Sequence, residues 1–92
     1  MIRSFADRGT EALYYGKRVR AFEAFRAAAE RKLAMLESAS ELTDLKVPPG
    51  NCLEALHGKR EGQHSIRINR QWRLCFRWLD GHAHEVEIVD YH

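Results

Sequence analysis

Residues 57–77 gather six cations (Lys59, Arg60, Arg67, Arg70, Arg73 and Arg77) and two histidines (His57 and His64) against one acid, Glu61. The sequence closes on Asp90-Tyr91-His92. A dense positive segment beside an imidazole, a phenol and a carboxylate is what a metal-free RNA-cutting site needs. RNA carries its own nucleophile, the 2′-hydroxyl, so the protein has only to supply a base, an acid and positive charge at the phosphate. An imidazole titrates near neutrality and can fill either proton-transfer role, which points to His92, with Asp90 to orient it and Tyr91 to donate to a phosphate or leaving oxygen. Arginine presents a rigid fork of donors that matches phosphate and stays charged at any working pH, which brings forward Arg67 and Arg73. The competing reading pairs these arginines with Glu85 and Glu87 of a neighbouring strand as a solvated charge ladder, and takes the closing residues as a frayed end.

Other chemistries find less support. His82 and His84 point to one face of a strand, but no third ligand stands at a useful spacing, so no metal is expected. Ser4, Ser38, Ser40 and Ser65 lack a nucleophile-elbow pattern, and no cofactor motif is present. Cys52 and Cys75 are isolated thiols, read as reduced and structural. The 92 residues carry a formal charge of only +2, with 45% hydrophobic and 30% charged residues. Distribution therefore matters more than the total: residues 80–90 hold Asp80, Glu85, Glu87 and Asp90 with no Lys or Arg. No apolar run approaches a membrane span and no signal-peptide core opens the sequence, so a cytoplasmic protein that avoids membranes is expected.

The elements that must position these groups read as one domain over residues 1–92. A short strand at residues 1–5 places Ile2 in the core, and Thr10 caps a helix that Gly16 ends. Helical periodicity runs over residues 19–38, where Phe22, Phe25, Ala29, Leu33 and Leu36 recur at three- and four-residue spacing. Another helical turn or two follows at residues 39–45. Val47-Pro48-Pro49-Gly50-Asn51 breaks the chain, and the period then changes to two. Strands are expected at 53–56, 65–69, 72–78 and 84–90, with a charged turn at 58–62, a tight hairpin at Asn69-Arg70-Gln71 and a turn at Asp80-Gly81. The result is an α+β fold, with N-terminal helices packed on one face of a mainly antiparallel sheet. Parity sends Ile66, Ile68, Trp72, Leu74, Phe76, Trp78, Val86 and Ile88 toward the helices, and Arg67, Arg73 and Arg77 to the open face.

The run Leu53-Glu54-Ala55-Leu56-His57-Gly58-Lys59-Arg60, the strand Trp72-Arg73-Leu74-Cys75-Phe76-Arg77-Trp78 and the close Val86-Glu87-Ile88-Val89-Asp90-Tyr91-His92 resemble HigB-type toxins (GraT-like) of the RelE/ParE superfamily. Met1-Ile2-Arg3-Ser4-Phe5 and Pro48-Pro49-Gly50-Asn51 agree, so the resemblance spans the chain. It implies a RelE-like microbial RNase fold and the toxin of a type II toxin–antitoxin system. The implied activity is a ribosome-dependent mRNA endonuclease that works by metal-independent 2′-hydroxyl attack. The implied partners are a HigA- or GraA-like helix-turn-helix antitoxin, the ribosome and mRNA, with operator DNA reached only through the antitoxin. Carried over residue by residue, catalysis falls on His92, Tyr91, Asp90 and Arg73, with His57 a second titrating group. Lys59, Arg60, Arg67, Arg77 and His64 then bind RNA phosphates. Two departures stand out: His57 occupies a position where relatives often have Lys, and Glu54 one where some have His. A gyrase-directed ParE-like toxin without RNase activity and an inert antitoxin-binding module remain the alternatives.

Overall fold

The computed structural model describes residues 1–90. Its first helix, α1 (Arg8–Tyr14), begins at Asp7, whose carboxylate accepts a hydrogen bond from the Thr10 amide at 3.1 Å. Thr10 is therefore not the cap that its residue type suggested. It lies inside the first turn, fully buried, and its Oγ1 accepts from the Ile88 amide at 2.9 Å. The two cap-type residues stand three apart, and the one with a long-range acceptor role was drawn into the core.

The helical stretch expected at 19–38 is two elements, a 3₁₀ segment at Arg20–Phe25 and then α2 (Arg26–Ser38). In a 3₁₀ turn residues i and i+3 eclipse. That brings both Phe22 and Phe25 against Trp72, with ring centroids 5.8 and 4.9 Å away. From α2, Ala29, Leu33 and Leu36 are buried as the spacing predicted. Two short 3₁₀ turns, Leu42–Lys46 and Pro49–Asn51, carry the chain to the sheet.

The sheet has strand order β1 (Glu54–Ala55), β2 (His64–Arg67), β3 (Trp72–Leu79) and β4 (His82–Asp90), all antiparallel. The β2–β3 turn is set by Asn69, whose Oδ1 accepts from the amides of Gln71 and Trp72 at 2.9 and 2.8 Å. Residues 1–5 form no full strand. They make two isolated parallel bridges to β4, Ile2 to Ala83 and Phe5 to Val86. β4 also starts earlier than expected and contains a bulge, because Cys75 faces Glu87 while Arg77 faces His84. The additional residue is absorbed near Glu85, whose φ is +53°. The bulge resets parity. Ala83, Val86 and Ile88 all point into the core as a result.

Candidate nucleic-acid interface

The face of the sheet away from the helices is built row by row from register. Glu54, Ser65, Cys75 and Glu87 lie opposite one another across all four strands, and the next row holds Arg67, Arg73 and Val89. Directly opposed residues in an antiparallel pair share a face, so this register puts Glu54 and Glu87 among the arginines.

Arg73 is the most tightly held of the expected site residues, with a side chain only 13% exposed. Its Nε donates to the buried Ser65 Oγ at 2.8 Å, and its Nη2 donates to the Cys52 carbonyl at 2.6 Å and lies 3.7 Å from Glu54 Oε1. The Cys52 carbonyl is aimed by the chain break before it. Asn51 is fully buried, donates to the Leu45 and Val47 carbonyls at 3.1 and 3.4 Å, and accepts from Lys32 Nζ. Cys52 then turns through a left-handed conformation, φ +47°. Burial is the first cause that holds the Lys32 ammonium below its usual pKa.

Three further arginines have contacts of their own. Arg60 reaches from the 3₁₀ turn Gly58–Arg60 to Gln63 Oε1 at 3.0 Å and Glu87 Oε1 at 3.2 Å. Arg77 Nε lies 3.0 Å from Glu85 Oε2, and Arg67 Nε donates to the Asn69 carbonyl at 3.1 Å. The Cys75 thiol sits buried among the charges of Arg60, Glu87, Arg73 and Glu54, and its pKa is pushed up, by burial first. His57 and Lys59 are exposed beside this group, on the turn before β2.

Two predicted residues stand elsewhere. His64 is opposite Phe76 and its ring stacks on Phe76 at 6.4 Å, so it faces the helix side, away from Arg67 and Arg73. Strand alternation decides this: His64 shares parity with the core residue Ile66. Its Nδ1 is buried with no hydrogen-bond partner among the described residues. Asp90 is opposite Trp72, which packs on Phe22 and Phe25, so it too lies on the helix-side parity, at the exposed end of β4. There it accepts from Gln71 Nε2 at 3.0 Å. Tyr91 and His92 fall outside the described residues.

The face thus brings Arg60, Arg67, Arg73 and Arg77 together and adds three carboxylates. The ladder that sequence offered as the competing reading exists, with partners other than those expected: Glu85 meets Arg77, Glu87 meets Arg60, and Arg73 meets Glu54. Sequence reasoning missed Ser65 and Asn51 as supports of Arg73. Only Ser65 left a signal, since it shares parity with Arg67. Among the described residues no group of three His, Cys, Asp or Glu could hold a metal ion. A groove of about 550 Å³ between residues 1–5 and α1, lined by Phe5, Tyr14, Tyr15 and Glu37 among others, contains none of the expected site residues.

Comparison with known proteins adds relationship to geometry. The family of HigB-like toxins, described as RelE-like toxins of the type II toxin–antitoxin system HigB, matches residues 3–92. Toxin HigB-1 of Vibrio cholerae serotype O1 is 51% identical over 53 residues, 58% of this chain and 56% of that protein. Endoribonuclease HigB of Proteus vulgaris is 33% identical over 61 residues, 66% of this chain and 65% of that protein. The matched segments therefore span between about half and two thirds of these relatives' lengths. Among solved structures, YafQ from E. coli strain BL21(DE3) superposes with a TM-score of 0.63 at 10% identity, covering 98% of this chain and 93% of that one. The YoeB–YefM complex from Staphylococcus aureus gives 0.59 at 21% identity, covering 100% and 98%. These structural likenesses bear on the fold, which is the α+β arrangement expected from sequence.

Proposed function

The chain belongs to the HigB-like family of RelE-like toxins of type II toxin–antitoxin systems, and from that premise we propose that it is a ribosome-dependent mRNA endonuclease acting in the cytoplasm. The observation that carries the reading is Arg73. Its guanidinium is fixed on the uncovered face by a buried hydroxyl and a backbone carbonyl, both neutral acceptors. A planar cation aimed in advance stabilises charge that develops on a phosphate without reorganising during the reaction.

In the proposed reaction the mRNA 2′-hydroxyl attacks the adjacent phosphorus, the bond to the 5′-oxygen breaks, and a 2′,3′-cyclic phosphate is left. Arg73 stabilises the phosphate charge, His92 transfers protons, Asp90 orients that imidazole and Tyr91 donates to a phosphate oxygen. Arg60, Arg67, Arg77 and Lys59 hold neighbouring phosphates, and His57 is a second titrating group near them. No metal or cofactor enters. His64 has no part at the phosphate in this scheme, since its ring is stacked on Phe76 with Nδ1 buried, whereas Asp90, of the same parity, stands exposed at the end of β4. A HigA-like helix-turn-helix protein is the proposed antitoxin, with operator DNA reached only through it.

The test is brief induced expression followed by primer extension on a reporter mRNA. Codon-linked cuts with the wild type, lost in Arg73→Ala and His92→Ala at equal protein level, support the reading. Intact message with DNA-damage signalling would instead place the target at gyrase. Undiminished cutting by both variants refutes the residue assignment.

A further inference from the structure

Three acids in positions of no obvious use occupy the face that the proposed reaction needs. The arginines there project from the turn before β2 and from β3, and three of them meet a carboxylate of β1 or β4. Arg73 meets Glu54 of β1 at 3.7 Å, Arg60 meets Glu87 of β4 at 3.2 Å, and Arg77 meets Glu85 at the β4 bulge at 3.0 Å. The carboxylates are partly open to solvent, with Glu54 49% and Glu85 56% exposed. Such pairs are weak and screened by salt, so they can be exchanged. They also take up the guanidinium forks that would otherwise hold phosphate oxygens in two-point contacts.

We propose that Glu54, Glu85 and Glu87 are built-in counter-charges that keep the free protein from holding RNA through single phosphates, and that release the arginines only where several phosphates are presented together. A carboxylate tethered beside its arginine competes at a high local concentration with any one phosphate arriving from solution. Several phosphates fixed in a folded RNA surface arrive as a set and displace the carboxylates together. The three acids are therefore selectivity residues. They disfavour loose single strands and favour a densely phosphorylated surface such as folded ribosomal RNA. This rests on the reading that the face binds RNA, but not on cleavage.

The probe is an unstructured, labelled single-stranded RNA of about 20 nucleotides, long enough to cover an interface of this size. Its affinity for the antitoxin-free protein is measured between about 50 and about 200 mM salt, where each added phosphate contact on a single strand deepens the loss by roughly 2.6-fold. The E54Q/E85Q/E87Q variant keeps side-chain shape and removes the charges. Its salt-dependent loss should deepen by up to roughly 18-fold for all three arginines released, and its affinity at low salt should exceed wild type by at least tenfold. A control with the same net charge change, E11Q/E37Q/E41Q, alters acids that form no ion pair with an arginine among the described residues. Equal tightening in both variants means net charge alone, and overturns the proposal. So does wild-type salt dependence in the first variant when thermal unfolding shows that it is folded. Binding and cleavage are read separately, so a wild type that binds as described but cuts nothing defeats the nuclease reading and leaves this one standing.

Discussion

Ser65→Ala isolates the support of Arg73 from its charge. Ser65 is fully buried, and its hydroxyl accepts from Arg73 Nε at 2.8 Å, while Arg73 itself is 13% exposed. A hydrogen bond to a charged donor contributes about 1.5–3 kcal/mol net. Alanine leaves no bulky void here, since only one oxygen is removed. A loss of about 2 kcal/mol in a domain of this size lowers Tm by ~8–16 °C. The same energy at the transition state is a ~30-fold fall in cleavage rate if the guanidinium loses its aim. Arg73→Lys probes the other side of the contact, because a single ammonium cannot span Ser65 Oγ and the Cys52 carbonyl as the fork does. The two substitutions should be non-additive by about 1 kcal/mol or more in denaturant unfolding, as expected for residues in direct contact. Ser65→Ala within about 0.5 kcal/mol of wild type, with cleavage intact, would refute the claim that this hydroxyl positions the arginine.

Asn51→Ala removes donors to the Leu45 and Val47 carbonyls and the acceptor of Lys32; urea unfolding should show a loss of about 1–3 kcal/mol, and cleavage should fall as well because Cys52 follows directly in the chain. Gly62→Ala places a Cβ 2.7 Å from Arg77 Nη1 at a residue with φ +92°, so the denaturation midpoint should fall by the equivalent of about 1–2 kcal/mol. His82 is held below the usual histidine pKa, by burial first and then by the Arg3 guanidinium, whose Nη2 lies 3.3 Å from its Nε2. The fold therefore favours neutral His82, and this stabilising contribution is complete above about pH 6.5 and is lost as pH falls through the lower folded value. An NMR titration should find His82 protonating below the ordinary range, and Arg3→Gln should move it upward.

Short-range pattern carried most of the architecture. Period-two alternation fixed which residues of β2 and β3 face the helices, and the Asn69 turn between them follows from an Asx side chain capping two amides. Three- and four-residue spacing placed Ala29, Leu33 and Leu36 in the core. What escaped depends on contacts distant in sequence. Thr10 looks like a cap until Ile88, seventy-eight residues later, supplies the amide that draws it inward. His64 was grouped with the cations because it is near them in sequence, although its parity sets it against Phe76. The ion-pair partners were hidden for a similar reason. Glu54 reaches Arg73 only through the β1–β2–β3 register, and the bulge at Glu85 sends that carboxylate to Arg77 rather than to Arg67 or Arg73.

The arginines of the uncovered face are held in two ways, and the difference bears on how it works. Arg77 is held by the Glu85 carboxylate and Arg60 by that of Glu87 together with Gln63, and these partly exposed ion pairs each contribute about 0–1 kcal/mol and weaken with salt. Stability of that size does not account for three such pairs on one face. Their larger consequence is to cancel repulsion, because Arg67 and Arg73 are direct cross-strand partners, an arrangement that destabilises a sheet when the charges are alike. Arg73 is held otherwise. Its Ser65 and Cys52 acceptors are neutral, so neither salt nor the loss of Glu54 removes them. When phosphates displace the carboxylates, Arg60 and Arg77 are free to follow the RNA backbone while Arg73 keeps its place. One cation in fixed position among several adjustable ones suits a face that must first gather a phosphate chain and then stabilise charge at a single phosphorus.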